Sequence, residues 1–378
     1  MTKNYFLLIS LSFLLFACQN SKNNETAGAQ WVFEIVEETI SLKLPEGWGH
    51  FGHKFFSTEE RIFLFNYGRN SLASYDKNKL ELLGTFVFEK EGPNGIAGGV
   101  ADISVENDSS FWVISQTEKL YHLDSRFQLI DSQDLNTEEL MKMGVSPMTF
   151  AFVKSGDKLY HPAMPLQFKW TDLSVKEIAT MPNLVEYDIE NRTYKELNKF
   201  DLEFLGDNLN KMIIPTSVAL GKNNEIIINH NYRNIYVYHN GETKKFPAML
   251  SDFSKDLPVS STDMFEDMNE IMKIINYSDI YESVTYFPEQ EIYVRNAKFA
   301  ESPEGGIDAD GQFLQSKWGL VFLDENFEKL GELILPEKAA NGNYVFENQE
   351  GIWYSTDHPD NPDIDEEVMQ FKLIQRAD

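Results

Sequence analysis

Short apolar runs alternate with polar turns from Trp31 to the end of the chain, and the pattern repeats. The first clear unit is Asn70–Phe88, in which an apolar run ends at Tyr75-Asp76, a short polar turn follows, and a second apolar run begins. Short apolar runs that are bounded by turn residues are typical of β-strands. The sequence therefore predicts repeated antiparallel β-modules.

Six such modules can be delimited along the chain. They span residues 53–88, 100–133, 148–197, 216–246, 282–335 and 343–373. The third predicted strand of the first five modules ends in Asp76, Asp124, Asp188, His239 and Asp324, with spacings of 48, 64, 51 and 85 residues. The shorter spacings match a four-stranded propeller blade of roughly 40–50 residues, and the longer ones contain insertions.

Two features of the modules predict how the ring is built. An aspartate carboxylate accepts backbone N–H groups one or two residues further on, so the strand-end aspartates are predicted to fix turns rather than to perform chemistry. The sixth module lacks a fourth strand, which Trp31–Leu44 can supply, because an open blade would leave an exposed edge. We predict an all-β, six-bladed β-propeller with four-stranded blades, closed by an N-terminal strand.

Short helices are predicted only in the insertions between blades. One begins near Asn136 and runs through Met143, where Gly144 can end it. A second, Thr262–Ile275, places methionine, phenylalanine and isoleucine side chains on one face. Such a face packs on its own domain or binds a partner, and both alternatives remain open at this stage.

The N-terminus predicts export and a lipid anchor. Lys3 precedes the apolar segment Phe6–Phe16, which is too short to span a bilayer as a helix. The only cysteine of the chain, Cys18, follows directly and resembles the acylated cysteine of a bacterial lipobox. We predict a lipoprotein signal peptide over residues 1–17, a flexible polar tether over 18–30, and a single propeller domain over 31–378.

The composition narrows the class of partner. The formal net charge is −27, from 60 acidic and 33 basic residues. An acidic surface repels phosphate backbones, so nucleic acid is not an expected partner. The expected partners are the membrane, through the anchor on Cys18, and a small molecule or a protein of the envelope.

Three stretches resemble a known family. They are Leu15-Phe16-Ala17-Cys18, the run Glu89–Ile96 between the first two modules, and Tyr281–Lys298 in the fifth. With the blade pattern, they are similar to six-bladed propeller lipoproteins of Bacteroidetes-type bacteria, in particular the DUF4221-type, TolB-like group. The resemblance implies a fold and a location in the cell envelope, with the outer membrane favoured, but no reaction.

Candidate site residues collect where the second strands end. In a propeller these ends, the loops that follow them and the connections between blades share one face, which we call the loop face. Basic residues are scarce in this chain, yet several histidines and arginines fall there. The candidate ligand-binding residues are Arg69, His161, His230, Arg233, Arg295, Asp357 and His358. They predict a polar, locally basic pocket that suits a carboxylate, a sugar or an anionic peptide end, unless they only satisfy backbone groups.

Cofactor and metal patterns are sparse. Asp308-Ala309-Asp310-Gly311 resembles the start of a calcium loop without the later glutamate, and Asp357, Asp360, Asp363 and Asp365 form an acidic loop that a solvated charge run explains. No zinc, nucleotide or serine-hydrolase motif is present in the sequence. We therefore expect no cofactor, and calcium is the single metal that these oxygen-rich loops suggest.

Three functions are compatible with these patterns. The leading hypothesis is a lipid-anchored, non-enzymatic envelope protein that recognises a small molecule or a protein partner at the loop face. The first alternative is a propeller hydrolase or lactonase that uses a calcium ion or a histidine at the mouth of the channel. The second is a scaffold subunit that meets its partners through Thr262–Ile275. The sequence does not determine on which side of the membrane the domain lies.

Overall fold

The computed structural model describes eight stretches of the chain, and the structural account below concerns these residues. They are residues 31–147, 151–165, 174–201, 215–253, 278–300, 317–358, 361–362 and 364–377. Cys18, the stripe Thr262–Ile275 and the Asp308–Gly311 loop lie outside them.

The strands form six antiparallel sheets that are arranged as the blades of a propeller. Blade 1 contains β2 (His53–Ser57), β3 (Arg61–Asn66), β4 (Ser71–Asp76) and β5 (Leu82–Val87). Blade 2 contains β6 (Val100–Asn107), β7 (Ser110–Ser115), β8 (Lys119–Leu123) and β9 (Leu129–Asp134). Blade 3 contains β10 (Val145–Pro147), β11 (Val153–Ser155), β12 (Lys158–Pro165), β13 (Pro182–Asp188) and β14 (Thr193–Lys199).

The remaining three blades follow the same order. Blade 4 contains β15 (Pro215–Leu220), β16 (Ile226–His230), β17 (Asn234–His239) and β18 (Glu242–Pro247). Blade 5 contains β19 (Ile280–Phe287), β20 (Ile292–Lys298), β21 (Trp318–Leu323) and β22 (Lys329–Ile334). Blade 6 contains β23 (Asn341–Asn348), β24 (Gly351–Ser355), β25 (Val368–Arg376) and β1 (Phe33–Lys43). The prediction of six four-stranded blades is confirmed.

The N-terminal strand closes the ring as predicted. β1 pairs antiparallel with β25 from Phe33, opposite Arg376, to Lys43, opposite Val368. It thus becomes the outermost strand of blade 6, beyond β25, β24 and β23. Because the first and last strands of the domain share one sheet, the ring cannot open without breaking this ladder.

Blade 3 departs from the prediction at its first strand. The sequence pattern predicts one strand over 148–153, whereas β10 and β11 are two short pieces that both pair with β12. Gly156, at a φ of +59°, takes part in the tight turn that joins β11 to β12. β10 ends at Pro147 and β11 begins at Val153, and residues 148–150 between them lie outside the described residues.

Six clusters of buried apolar side chains hold the blades together, one at each junction. At the junction of blades 6 and 1, for example, Leu42 and Trp353 pack with Ile62 and Tyr75. A module that cannot bury its own faces is stabilised by stacking on its neighbours. The core is thus a ring of interfaces rather than one central mass.

The strand-end aspartates fix turns as predicted. Their carboxylates accept backbone N–H groups of the residues that follow. The bonds run to Asp76 from Asn78 and Lys79 (3.0 and 2.8 Å), to Asp124 from Arg126 and Gln128 (2.8 and 2.9 Å), to Asp188 from Asn191 (2.8 Å), and to Asp324 from Asn326 and Glu328 (2.8 Å each). These bonds lower the pKa of Asp76 and Asp124. The turns lie opposite the loop face, on what we call the hairpin face, which carries the turns between the first and second strands and between the third and fourth strands of each blade.

A buried lysine links three blades on the hairpin face. Lys77, in the turn after β4, is almost fully buried, and its Nζ lies 2.6 Å from Glu289 Oε1 of blade 5. The same Nζ lies 3.9 Å from Glu347 Oε1 of blade 6. The Glu347 carboxylate also accepts the backbone N–H groups of Glu289 and Gln290. The ion pairs of Lys77 thus help to join the last blades to the first, in addition to the pairing of β1 with β25.

The described helices are short and lie between strands. The first, α1 (Glu138–Lys142), ends just before Gly144 at a φ of +77°, as predicted. The second, α2 (Val175–Ile178), lies in the insertion between β12 and β13. Within the described part of the chain, neither helix has the length or the apolar surface for a membrane span.

Candidate functional site

The second strands do end in polar residues, as predicted, but those residues are buried. The ends form a polar layer beneath the loop face, with one or more members in every blade. The members are Asn66, Ser115, His161, Asn229, His230, Asn296 and Ser355. Buried polar groups need hydrogen-bond partners, so a layer of this kind mainly joins blades. Accessible chemistry has to be sought in the loops beyond it.

Arg295 shows how such a residue is used. It lies inside β20, is fully buried, and donates from Nε to Asn229 Oδ1 at 2.7 Å. Its two Nη atoms donate to backbone carbonyl oxygens of Ala248 (2.6 Å), Arg233 (2.9 Å), His230 (3.0 Å) and Tyr232 (2.5 Å). Burial lowers its pKa to about 9. Arg295 therefore joins blade 5 to blade 4 and has no exposed surface to offer a ligand, contrary to its place among the candidate residues.

His161 and His230 are buried in the same layer. The ring of His161 stacks on Phe152, with centroids 5.7 Å apart, and burial lowers its pKa to about 3. The ring of His230 meets Tyr236 edge-on, and burial together with the charge of Arg295 lowers its pKa to about 3. Both imidazoles are neutral at physiological pH and enclosed by protein. They do not line an accessible basic pocket.

Asp357 and His358 follow β24 and are also buried. Asp357 Oδ2 lies 3.2 Å from His50 Nδ1, and Asp357 Oδ1 accepts the backbone N–H of Gln370 at 3.3 Å. The pKa of His50 is raised, because burial, which lowers it, is outweighed by Asp357 and by the charge of Asp365. Asp357 thus pairs with a histidine that the sequence interpretation did not select.

Arg233 is intermediate in its exposure to solvent. It lies in the loop between β16 and β17 and is half-buried. Its guanidinium donates to the hydroxyl of Tyr232 and lies 4.8 Å above the ring of that tyrosine. Its own carbonyl oxygen accepts from Arg295. The residue is therefore engaged with its neighbours in the blade 4 loop.

Arg69 is the exception among the seven candidates, because it is exposed and lines a cavity. It lies three residues after the end of β3, at the junction of blades 6 and 1. The cavity, which we call the seam groove, has a volume of about 540 Å³ and lies open to solvent. It is lined by Pro45, Glu46, Trp48, Arg69, Ser71, Thr85 and Val87.

The guanidinium of Arg69 is held on one side only. It donates to the carbonyl oxygen of Gly47, and it pairs with no carboxylate among the described residues. Gly47 has a φ of +74°, which favours glycine, and a Cβ there would lie 3.1 Å from Arg69 Nη2, so a larger residue would crowd the guanidinium. A guanidinium carries five N–H donors, and most of those of Arg69 are available to a ligand.

The loop that carries Arg69 is fixed by its neighbours. The side-chain oxygen of Asn66 accepts the backbone N–H of Arg69 at 2.8 Å. The hydroxyl of Tyr67 reaches Asp102 in blade 2 at 3.4 Å, and Asp102 is also paired with Lys54 at 2.5 Å. A loop held in this way presents its arginine in a defined place, as a binding residue requires.

Residues that the sequence interpretation missed form the wall of the groove. The connection from β1 to β2, residues 44–52, contributes Trp48, whose indole stacks on His53 with centroids 5.5 Å apart. Burial lowers the pKa of His53 to about 4, with a smaller effect from His50. The signal in the sequence is the alternation of glycine with Trp48, His50 and Phe51 just before the first module. One of the seven histidines of the chain, His50, lies in this connection, and a second, His53, begins β2.

The metal prediction gains no support from the described residues. No group of three or more histidine, cysteine, aspartate or glutamate side chains within them is arranged to hold a metal ion. Asp360 and Asp363 of the acidic loop lie outside the described residues, as does Asp308–Gly311. The calcium suggestion therefore stays a prediction.

Fold and groove together define a class: a closed six-bladed β-propeller with a solvent-open groove between the β1–β2 connection and blade 1. Comparison with known proteins adds the family. Residues 47–334 match the model of DUF4221, a domain of unknown function, and the chain belongs to that family. The resemblance that the sequence suggested is confirmed.

Solved structures agree with the fold. A DUF4221 family member from Bacteroides vulgatus is 17% identical, with a TM-score of 0.75 over 92% of this chain and 100% of that chain. A protein from Bacteroides fragilis, whose name places it among exported proteins, is 10% identical, with a TM-score of 0.53 over 92% of this chain and 96% of that one. A search of curated proteins finds no match to this chain.

Proposed function

We propose that this protein is a lipid-anchored, non-enzymatic binding protein of the cell envelope that takes a carboxylate-bearing ligand in the seam groove. The observation that carries the proposal is Arg69, an exposed arginine in a cavity that pairs with no carboxylate among the described residues. Arg69 is the candidate arginine that lines the groove, and a guanidinium with donors left over at a cavity can take a carboxylate.

The shape and chemistry of the groove support this ligand class. Its volume of about 540 Å³ lies within the range of small-molecule sites, roughly 300–1,000 Å³. Arg69 offers a planar fork that matches a carboxylate, Ser71 and Thr85 offer hydroxyl groups, and Val87 offers an apolar wall. Glu46 adds a carboxylate to the same lining, so a ligand carboxylate is favoured only beside Arg69, and the rest of the ligand is a short neutral body.

The histidines that the hydrolase alternative requires are buried. His161, His230 and His358 are each no more than 2% exposed, so none of them lies at an accessible channel mouth as a general base. His50 and His53 are buried as well, behind Trp48. A binding role needs none of these side chains and is therefore preferred.

The envelope location is proposed from the N-terminal sequence. The apolar segment Phe6–Phe16 followed by Cys18 suits export and acylation, and the exported name of the Bacteroides fragilis structure is consistent with it. Replacement of Cys18 by alanine should move the protein from the membrane fraction to the soluble fraction. Retention of the Cys18→Ala protein on membranes would contradict the anchor, although it would leave the groove proposal intact.

The groove is tested with a small carboxylate probe. N-acetylleucine should show saturation transfer from the wild-type protein in ligand-observed NMR, and Arg69→Gln should abolish the signal. Arg126→Gln, which removes an exposed arginine from the hairpin face of blade 2, is the matched control and should bind as the wild type does. If Arg69→Gln binds N-acetylleucine as tightly as Arg126→Gln, the proposed site is wrong.

A further inference from the structure

One outer strand differs from the other five. The outer strands of the six blades are β5, β9, β14, β18, β22 and β1. Five of them carry two or more charged residues, whereas β5, with the sequence Leu-Leu-Gly-Thr-Phe-Val, carries none. Charged side chains on an edge strand prevent it from pairing with another chain. Blade 1 alone lacks this protection.

The edge of β5 is also open and apolar. The strand pairs with β4 on one side, and no described strand pairs with it on the other. Leu83 is 52% exposed and Val87 is 51% exposed, so two large apolar side chains face solvent beside the free edge. An edge strand of this kind is a template for an added strand, which gains main-chain hydrogen bonds.

The free edge leads directly to the seam groove. Thr85 and Val87 of β5 line the groove together with Arg69. Val87 lies opposite Ser71 at the start of β4, so the C-terminal end of β5 is the end near Arg69. An extended peptide on β5 would therefore place one terminus near the Arg69 guanidinium, which pairs with no carboxylate in the described part of the chain.

We propose that the ligand is the C-terminus of a partner polypeptide, which adds to β5 as a fifth strand of blade 1 and sets its terminal carboxylate on Arg69. This rests on the proposed function of the groove and specifies its ligand. The peptide runs parallel to β5, because its C-terminus must lie beside Val87. With a net charge of −27 on this protein, the preferred segment has few acidic side chains, and its terminal carboxylate meets the available arginine.

The test starts from a library of seven-residue peptides displayed with free C-termini. Selected peptides, labelled for fluorescence anisotropy, should bind the wild-type protein, and conversion of the C-terminal carboxylate to an amide should weaken binding about tenfold or more. Arg69→Gln should weaken the free acid by a similar factor and leave the amide unchanged. N-methylation of alternate peptide amides should also weaken binding, because it removes the donors of an added strand.

A pair of protein variants distinguishes strand addition at β5 from nonspecific hydrophobic binding. Leu83→Glu places a charge beside the free edge of β5 and should weaken the free acid about tenfold or more. Ile130→Glu places the same charge on β9 of blade 2, at a side chain that is 56% exposed, and should bind as the wild type does. Equal binding by both variants would show that β5 is not the site.

The outcomes separate this inference from the proposed function. If N-acetylleucine binds through Arg69 but the library yields no peptide that depends on its carboxylate, the polypeptide partner is wrong and the groove proposal stands. If peptides bind but tolerate N-methylation, strand addition is wrong. If sedimentation shows a wild-type dimer that Leu83→Glu dissociates, the occupant of β5 is a second copy of this chain, and the inference is overturned.

Discussion

Arg295 and Arg69 make the same kind of contact at two blade junctions, with opposite consequences. Each reaches from its own blade back to backbone carbonyl groups that precede it: Arg295 from blade 5 to blade 4, and Arg69 from blade 1 to Gly47. Arg295 is enclosed, and its donors are used by protein oxygens. Arg69 is exposed, and its guanidinium donates a hydrogen bond to the backbone carbonyl of Gly47.

The difference lies in where each arginine stands relative to its strand. Arg295 is inside β20, so its side chain enters the junction and stacks over Tyr281 at 3.6 Å. Arg69 is in the loop after β3, beyond the buried layer. A buried arginine that is fully hydrogen-bonded fixes a junction, whereas an exposed one with available donors can recognise a ligand. The two residues should therefore respond very differently to mutation.

The largest effect is expected at Arg295. Arg295→Lys keeps the charge but cannot reproduce the planar fork, so several buried carbonyl groups lose their donor together. We expect the free energy of unfolding to fall by about 3–5 kcal/mol, measured by urea denaturation. Arg126→Lys, on the exposed hairpin face of blade 2, is the control. A loss below about 1 kcal/mol for Arg295→Lys would show that the arginine does not fix the junction.

An intermediate effect is expected at His161, which tests whether the second-strand ends are interior. Its folded pKa of about 3 lies below its ordinary value of 6.5, so the unfolded chain binds the proton first as the pH falls. Stability is therefore lost on acidification, by about 3 kcal/mol between pH 6.5 and 4. His161→Phe should remove this part of the pH dependence in urea denaturation series.

The control for that series is His239→Gln, at an exposed position at the end of β17. It should show the acid sensitivity of the wild type. If His161→Phe and His239→Gln lose stability equally between pH 6.5 and 4, His161 is accessible to protons in the folded protein. The polar layer would then be accessible to solvent, and solvent exposure would no longer distinguish Arg69 from the residues at the second-strand ends.

The sequence predicted the blades because they follow from short-range rules, and the closure because the sixth module is one strand short. Apolar alternation and aspartate turns repeat with each blade, and the missing fourth strand of the sixth module required Trp31–Leu44 as its partner. In blade 3 the predicted strand 148–153 overlaps β11 only at Val153, and residues 148–150 lie outside the described part of the chain. Alternation along one strand does not define where that strand begins and ends.

The site was predicted less well, for a physical reason. Polarity at the second-strand ends was visible in the sequence, but whether a polar residue faces solvent or another blade depends on the neighbouring blade. Arg295 and Arg69 therefore looked alike. The connection that contributes Pro45, Glu46 and Trp48 to the groove was missed because only the folded ring places it beside Arg69 of the β3–β4 loop.

The smallest effect on stability is expected at Arg69, and it completes the comparison. Arg69→Gln removes one exposed hydrogen bond to Gly47, so the free energy of unfolding should change by less than about 0.5 kcal/mol in urea denaturation without ligand. A bound ligand stabilises the folded state by about 2.7 kcal/mol at 100 times its dissociation constant. A selected peptide with a free carboxylate should therefore stabilise the wild-type protein and Arg126→Gln but not Arg69→Gln. If Arg69→Gln is instead strongly destabilised without ligand, Arg69 fixes its junction as Arg295 does, and the distinction between the two arginines fails.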